Sequence, residues 1–136
     1  MIKPIVRDAF FLNQKSEEAT RADLAVAQDL EDTLKANRER CVGMAANMIG
    51  HRKRIIIVAT GFADLIMINP VITEKSGSYE TEEGCLSLPG VRKTTRYNKI
   101  TVRYLDKKFA EHTQSFSGYI AQIIQHECDH LQGILI

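Results

Sequence analysis

The nine residues Gln125-His126-Glu127-Cys128-Asp129-His130-Leu131-Gln132-Gly133 leave the end of this chain little freedom. In a helix the two histidines, four apart, lie on one face, about 40° from each other at ~3.6 residues per turn. Two imidazoles stacked in this way can bind one divalent cation. Glu127 sits beside that face, where a carboxylate can take a proton from water on the ion. Cys128 points to the far side, away from the same ion. The rest of the chain must therefore build a support for one late helix and bring further ligands to it.

Two histidines hold a metal poorly, so a third ligand is expected, with one position left for water. Cys85 stands out because it sits in the glycine-flanked segment 82–90, where a thiolate can be presented without steric cost. Glu82, Glu83 and the other two cysteines remain alternatives. One thiolate with two imidazoles suits Zn²⁺, Fe²⁺ or Co²⁺, and spacing does not choose between them.

At 136 residues the chain is expected to form one domain, 1–136, large enough for a real core. Eighteen basic residues nearly cancel seventeen acidic ones, so charge gives no global pull toward nucleic acid or membrane, and no specific DNA partner is expected. No apolar run approaches the ~20 residues that span a bilayer, and the N-terminus lacks the apolar region of a signal peptide. Three widely spaced cysteines, an odd number, suit a reducing cytosol, so a cytoplasmic location is expected.

Along the chain, 1–19 reads as an extended lead-in. Thr20 with Asp23 resembles a capping box, and Leu24, Ala27, Leu30 and Leu34 recur at helical steps, which predicts a helix over 21–38. The small residues of 41–50 read as a tight helix-to-strand connection. Ile55-Ile56-Ile57-Val58 is a buried strand, and Leu65-Ile66-Met67-Ile68 a second one halted by Asn69-Pro70. Segments 71–73 and 78–81 flank Lys75-Ser76-Gly77 as a hairpin. Alternation predicts a strand at 99–105, a turn at 106–108 and another strand near 110–116. The basic stretch 92–108 reads as a solvated sheet edge, with an RNA-facing patch as the alternative. Ser117 is expected to cap a final helix over 118–131. Strands in the middle and a metal-bearing helix late make the class α+β.

With these segments in hand, the chain resembles the peptide deformylase family. Gly43-Met44-Ala45-Ala46 through Gly50 is similar to the family's first motif, Glu83-Gly84-Cys85-Leu86-Ser87 to its second, and 125–133 to its third. The resemblance implies antiparallel β-sheets around a central metal-binding helix. It implies an enzyme that hydrolyses the N-formyl group from the initiator methionine of nascent peptides and releases formate. By position it makes Cys85, His126 and His130 the ligands of one divalent ion. Fe²⁺ is the expected native metal, with Zn²⁺, Ni²⁺ or Co²⁺ as substitutes. Glu127 becomes the general base and then the acid. The backbone N–H of Leu86 helps hold the oxyanion, and Val42, Gly43 and Arg92 line the peptide cleft.

The first motif departs from the family. Met48 stands where the family has a glutamine that donates to the reacting oxygen, and Cys41 and Asn47 replace the usual glycine and frequent proline. A thioether cannot donate, and losing one oxyanion donor typically costs on the order of 10²–10³ in kcat. Gln122, on the helical face of His126 and His130, is a candidate substitute donor, or else a wall of the methionine pocket. The second reading is then a deformylase-like protein that binds metal and formyl-peptide with little turnover; a third is another metallohydrolase. The chain stops three residues after Gly133, without the tail that many bacterial members use at the ribosome. Ribosome docking would then fall to the basic stretch 92–108.

Overall fold

The computed structural model describes residues 1–85 and 87–135. One five-stranded antiparallel sheet, ordered β1-β2-β3-β4-β5, separates two helices. Its strands are β1 (Gly43–Ala45), β2 (Ile55–Ala59), β3 (Asp64–Cys85), β4 (Leu88–Leu105) and β5 (Glu111–Ser117). The helices are α1 (Ala9–Leu12), α2 (Leu24–Ala36) and α3 (Gly118–Leu131). Among the described residues no helix is long and apolar enough to cross a membrane.

The alternation of side chains along β2 explains the layering. Ile55 and Ile57 enter one apolar cluster with Leu30 and Leu34 of α2. Ile56 and Val58 enter the other, with Ala121, Ile124 and Leu131 of α3. These four side chains of β2 are fully buried. A continuous β-branched run is what a strand covered on both faces requires. Each such side chain contributes roughly 1.5–3 kcal/mol through removal from water.

Helix α2 follows a short 3-10 turn at Arg21–Asp23, where the Thr20 N–H donates to the Asp23 carboxylate at 2.8 Å. Helix α3 has the bounds its apolar spacing predicts. Ser117 occupies the N-cap position in extended backbone, but its hydroxyl makes no capping bond. The lead-in is not wholly extended, because Asp8 accepts from the Phe10 N–H at 3.0 Å and starts α1.

Strand β3 corrects two expectations. Asn69-Pro70 does not halt it: residue pairing continues through a bulge between Ile68 and Val71. Asn69 adopts φ 50°, a conformation asparagine tolerates, and Pro70 occupies the irregularity, where a missing N–H breaks no ladder. The Asn69 side chain is clamped by Ala19, whose N–H donates to Oδ1 at 2.8 Å and whose carbonyl accepts from Nδ2 at 3.0 Å. Nor is there a hairpin at 75–77: Ser76 pairs with Lys99 and Ser78 with Tyr97, so Gly77 (φ 73°) lies inside a continuous ladder. The reversal comes at the Cys85–Leu88 pair.

The bulge also changes faces. Ile68 and Ile72 are four apart, which in an unbroken strand puts them on one side. Here Ile68 packs with the α2 cluster and Ile72 against the α3 cluster. The basic stretch is a solvated edge only in part: Arg92 and Lys93 are exposed on a length of β4 that β5 does not reach. Strand β5 covers β4 from Lys99 to Leu105, and Arg96 is 3% exposed. The sheet's edge strands are β1 and β5.

Candidate metal centre

One turn apart on α3, His126 and His130 stack edge to face, with ring centroids 4.7 Å apart and Nε2 atoms 3.0 Å apart. Cys85, the last residue of β3, places Sγ 3.3 Å from His130 Nε2. The donor atoms of all three lie within 4.8 Å of one another. A soft thiolate and two imidazole nitrogens converging on one point fit a first-row divalent cation with a position left open. Cys128 is absent from the cluster and packs against the α3 core, its thiol pushed up to about 12 by burial.

Glu83 orients the first histidine. It lies two residues before Cys85 on β3, and its Oε1 is 2.7 Å from His126 Nδ1. With Nδ1 committed as the donor, Nε2 faces the cluster and offers it a lone pair when the ring is neutral. Burial alone would raise the Glu83 carboxyl. Hydrogen bonds from His126, Arg96 and Gln122 outweigh it and hold the group at about 2. Arg96 grips the carboxylate with both Nε (2.9 Å) and Nη2 (2.7 Å), and sends Nη1 to Asp129 on α3 at 2.6 Å. Gln122 Nε2 donates to the second carboxylate oxygen at 2.8 Å.

Burial works against charge on both histidines. The bonds from Cys85 and Glu83 nevertheless raise His126, while burial and the neighbouring His126 charge lower His130. The pair does not hold two protons. Glu127 is 4% exposed, and its Oε1 has no partner among the described residues. Burial, opposed by the His126 charge, pushes its carboxyl up to about 7. A carboxyl with that affinity takes up and returns a proton near neutrality. Gly43 makes room for it: a Cβ there would meet Ile123 Cγ2 at 2.7 Å and Glu127 Oε2 at 3.1 Å.

Glu83, Cys85, His126 and Glu127 face a cleft of about 460 Å³, lined also by Val42, Gly43, Met48, Gln122, Cys41 and Glu82, while His130 is fully buried behind it. Arg92 is not among its lining residues; it lines a second groove with Tyr97 and Asp129. Leu86 lies outside the described residues. Met48 is buried, and its sulfur accepts from the Ala45 N–H at 3.5 Å. Asn47 is turned away from the cleft, donating to the His130 carbonyl at 3.0 Å. The Cys41 thiol donates to the Gly43 carbonyl at 2.8 Å and is pushed up to about 12, chiefly by burial. Sequence reasoning weighed Glu83 only as a rival ligand and took Arg96 for a solvated residue. The two-residue step from Glu83 to Cys85 was the available signal for the first. Arg96 had none, since its partners are 13 and 33 positions away.

Residues 2–136 match the family described as polypeptide deformylase. A peptide deformylase of Clostridium beijerinckii is 60% identical over 136 residues, covering 100% of both chains. Peptide deformylase 1 of Clostridium perfringens is 39% identical, with 91% of this chain and 92% of its own covered. Among solved structures, the actinonin-bound class I type b peptide deformylase of Acinetobacter baumannii is 31% identical with a TM-score of 0.88, over 99% of this chain and 95% of that one. The peptide deformylase of Thermotoga maritima has a TM-score of 0.89 at 28% identity, again over 99% and 95%.

Proposed function

The chain belongs to the polypeptide deformylase family, and from that premise we propose how its own residues carry out metal-dependent hydrolysis of the N-formyl group from nascent peptides. In this reading residues 1–136 act as one domain, in the cytoplasm where such peptides emerge. Cys85, His126 and His130 hold one divalent ion, Fe²⁺ natively. The observation that carries the reading is the convergence of one sulfur and two ring nitrogens within 4.8 Å, beside a buried carboxyl. When bound, the cation acidifies water and polarises the formyl carbonyl.

The remaining work falls to side chains and backbone. Glu127 accepts the proton of the attacking water and returns it to the departing amine. The Leu86 N–H donates to the oxygen of the formyl group as charge develops on it. Val42 and Gly43 form the wall along which the peptide lies, Gln122 and Met48 line the pocket of its first side chain, and Arg92 meets the peptide farther out. Met48 supplies no donor, so turnover is lower than a glutamine there would give. The basic stretch 92–108 is the face for ribosomal RNA.

The test is formate release from formyl-Met-Ala by protein purified anaerobically with Fe²⁺. Activity is expected, abolished by Glu127→Ala and raised by Met48→Gln by on the order of 10². Metal bound without turnover would support ligand binding alone, and turnover of unformylated peptides would support a peptidase.

A further inference from the structure

Gln122 stands outside the donor triad, yet its side chain ends on the carboxylate that orients one member of it. We propose that Gln122 is a positioning residue for the metal centre, holding Glu83 in the plane that keeps His126 Nε2 aimed at Cys85 and His130. The inference rests on the metal-site reading above and adds a role for this amide within it.

The geometry is a bracket. Gln122 and His126 are one helical turn apart on α3, so both reach the same group across the gap to β3. His126 Nδ1 meets Glu83 Oε1 at 2.7 Å and Gln122 Nε2 meets Oε2 at 2.8 Å. Arg96 supplies one further donor to each oxygen, Nη2 to Oε1 and Nε to Oε2. Four donors thus share the roughly four lone-pair sites of one buried carboxylate, two on each oxygen. Without the amide, Oε2 keeps one donor while Oε1 keeps two. The carboxylate can then tilt toward Arg96, and the His126 ring follows. With its nitrogen tied to Glu83, Gln122 acts on the reaction through His126 rather than on the substrate's oxygen.

The test uses Gln122→Met, which keeps the length of the side chain and removes the N–H. Zn²⁺ affinity is measured by chelator competition, and the visible spectrum is recorded for the Co²⁺-loaded protein. Groups that hydrogen-bond a metal-bound histidine typically change affinity about 10–100-fold when removed, and with Arg96 still in place the low end, about tenfold weaker, is expected. The Co²⁺ bands should shift as well. In a Glu83→Gln background the same substitution should change neither readout, because the bond it removes no longer leads to His126. Gln122→Leu should repeat the result. Metal affinity and Co²⁺ bands unchanged in both single variants would overturn the inference, even if KM rose through altered pocket shape. The Cys85→Ala variant separates this from the underlying reading. If Cys85→Ala abolishes tight binding while Gln122→Met changes nothing, only the positioning role fails. If Cys85→Ala also binds as before, the metal-site reading fails with it.

Discussion

The β3–β4 ladder is built in two different ways along its length. Near the centre of the sheet, 64–68 of β3 lies against β2, 68–76 against β4 and 99–105 of β4 against β5, and the buried side chains there are apolar: Ile66, Met67, Ile68, Ile100, Val102 and Tyr104. Toward the reversal, where 78–85 runs against 88–97, the side chains buried against α3 include the charged pair Glu83 and Arg96. Apolar contact is non-directional and tolerates small shifts. Charged hydrogen bonds inside a protein fix angles, and leaving one partner alone is costly. The half that aims Cys85 and His126 is therefore the half that depends on direction.

The strongest way to break this contrast is Arg96→Met. It leaves the Glu83 carboxylate buried and poorly paired, so unfolding free energy should drop by about 3–5 kcal/mol, with weaker metal binding in the molecules that remain folded. Chemical denaturation and metal titration together check both. A next step down is Ile100→Ala in the central half. The truncation should cost about 2–4 kcal/mol of stability, but the folded fraction should bind metal as before. If Ile100→Ala also weakened metal binding in the folded protein, the two halves would not be separable. Gly77→Ala probes the junction. Its φ of 73° disfavours a side chain, and a Cβ would press on Asn98 at 3.2 Å, so a loss of about 1–2 kcal/mol is expected in thermal unfolding. Smallest of all should be Arg38→Ala. It breaks a two-point contact to Asp64 at 2.7 Å, but at the exposed end of the cleft, and the melting temperature should stay within error.

The same contrast decides what could be read from the residues alone. The 55–58 run and the helix over 118–131 were legible because periodicity and burial coincide there, and each apolar side chain needs only a neighbouring apolar surface. The face of α3 that carries His126, Glu127 and His130 was legible for a related reason: the three are local in sequence. The charged half of the ladder was not. Arg96 looks like any surface cation until its partners on β3 and α3 are in place, and no local pattern announces them. Asn69-Pro70 reads as a stop because proline usually ends pairing, whereas here a bulge gives it a place without a ladder bond. Gly77 reads as a turn because positive φ usually marks one, yet here it sits within a strand. Gln122 was found by its position on the helix, but that position leaves open whether its nitrogen turns to a substrate or, as here, to Glu83.

The irregularities at 68–71 and 72–74 carry one more implication. Each adds a single residue to β3 that β4 does not match. Those extra residues absorb a change of count, because the side on which each later residue stands is set by its pairing with β4. Removing one from either place would let the ladder close evenly and leave the following side chains facing as they do now, whereas removing one from the regular stretch 74–83 would turn the following side chains to the opposite side. A tolerance map of deletions along β3 should therefore show two narrow permitted spots some distance from the cleft, in a strand that elsewhere tolerates no lost residue.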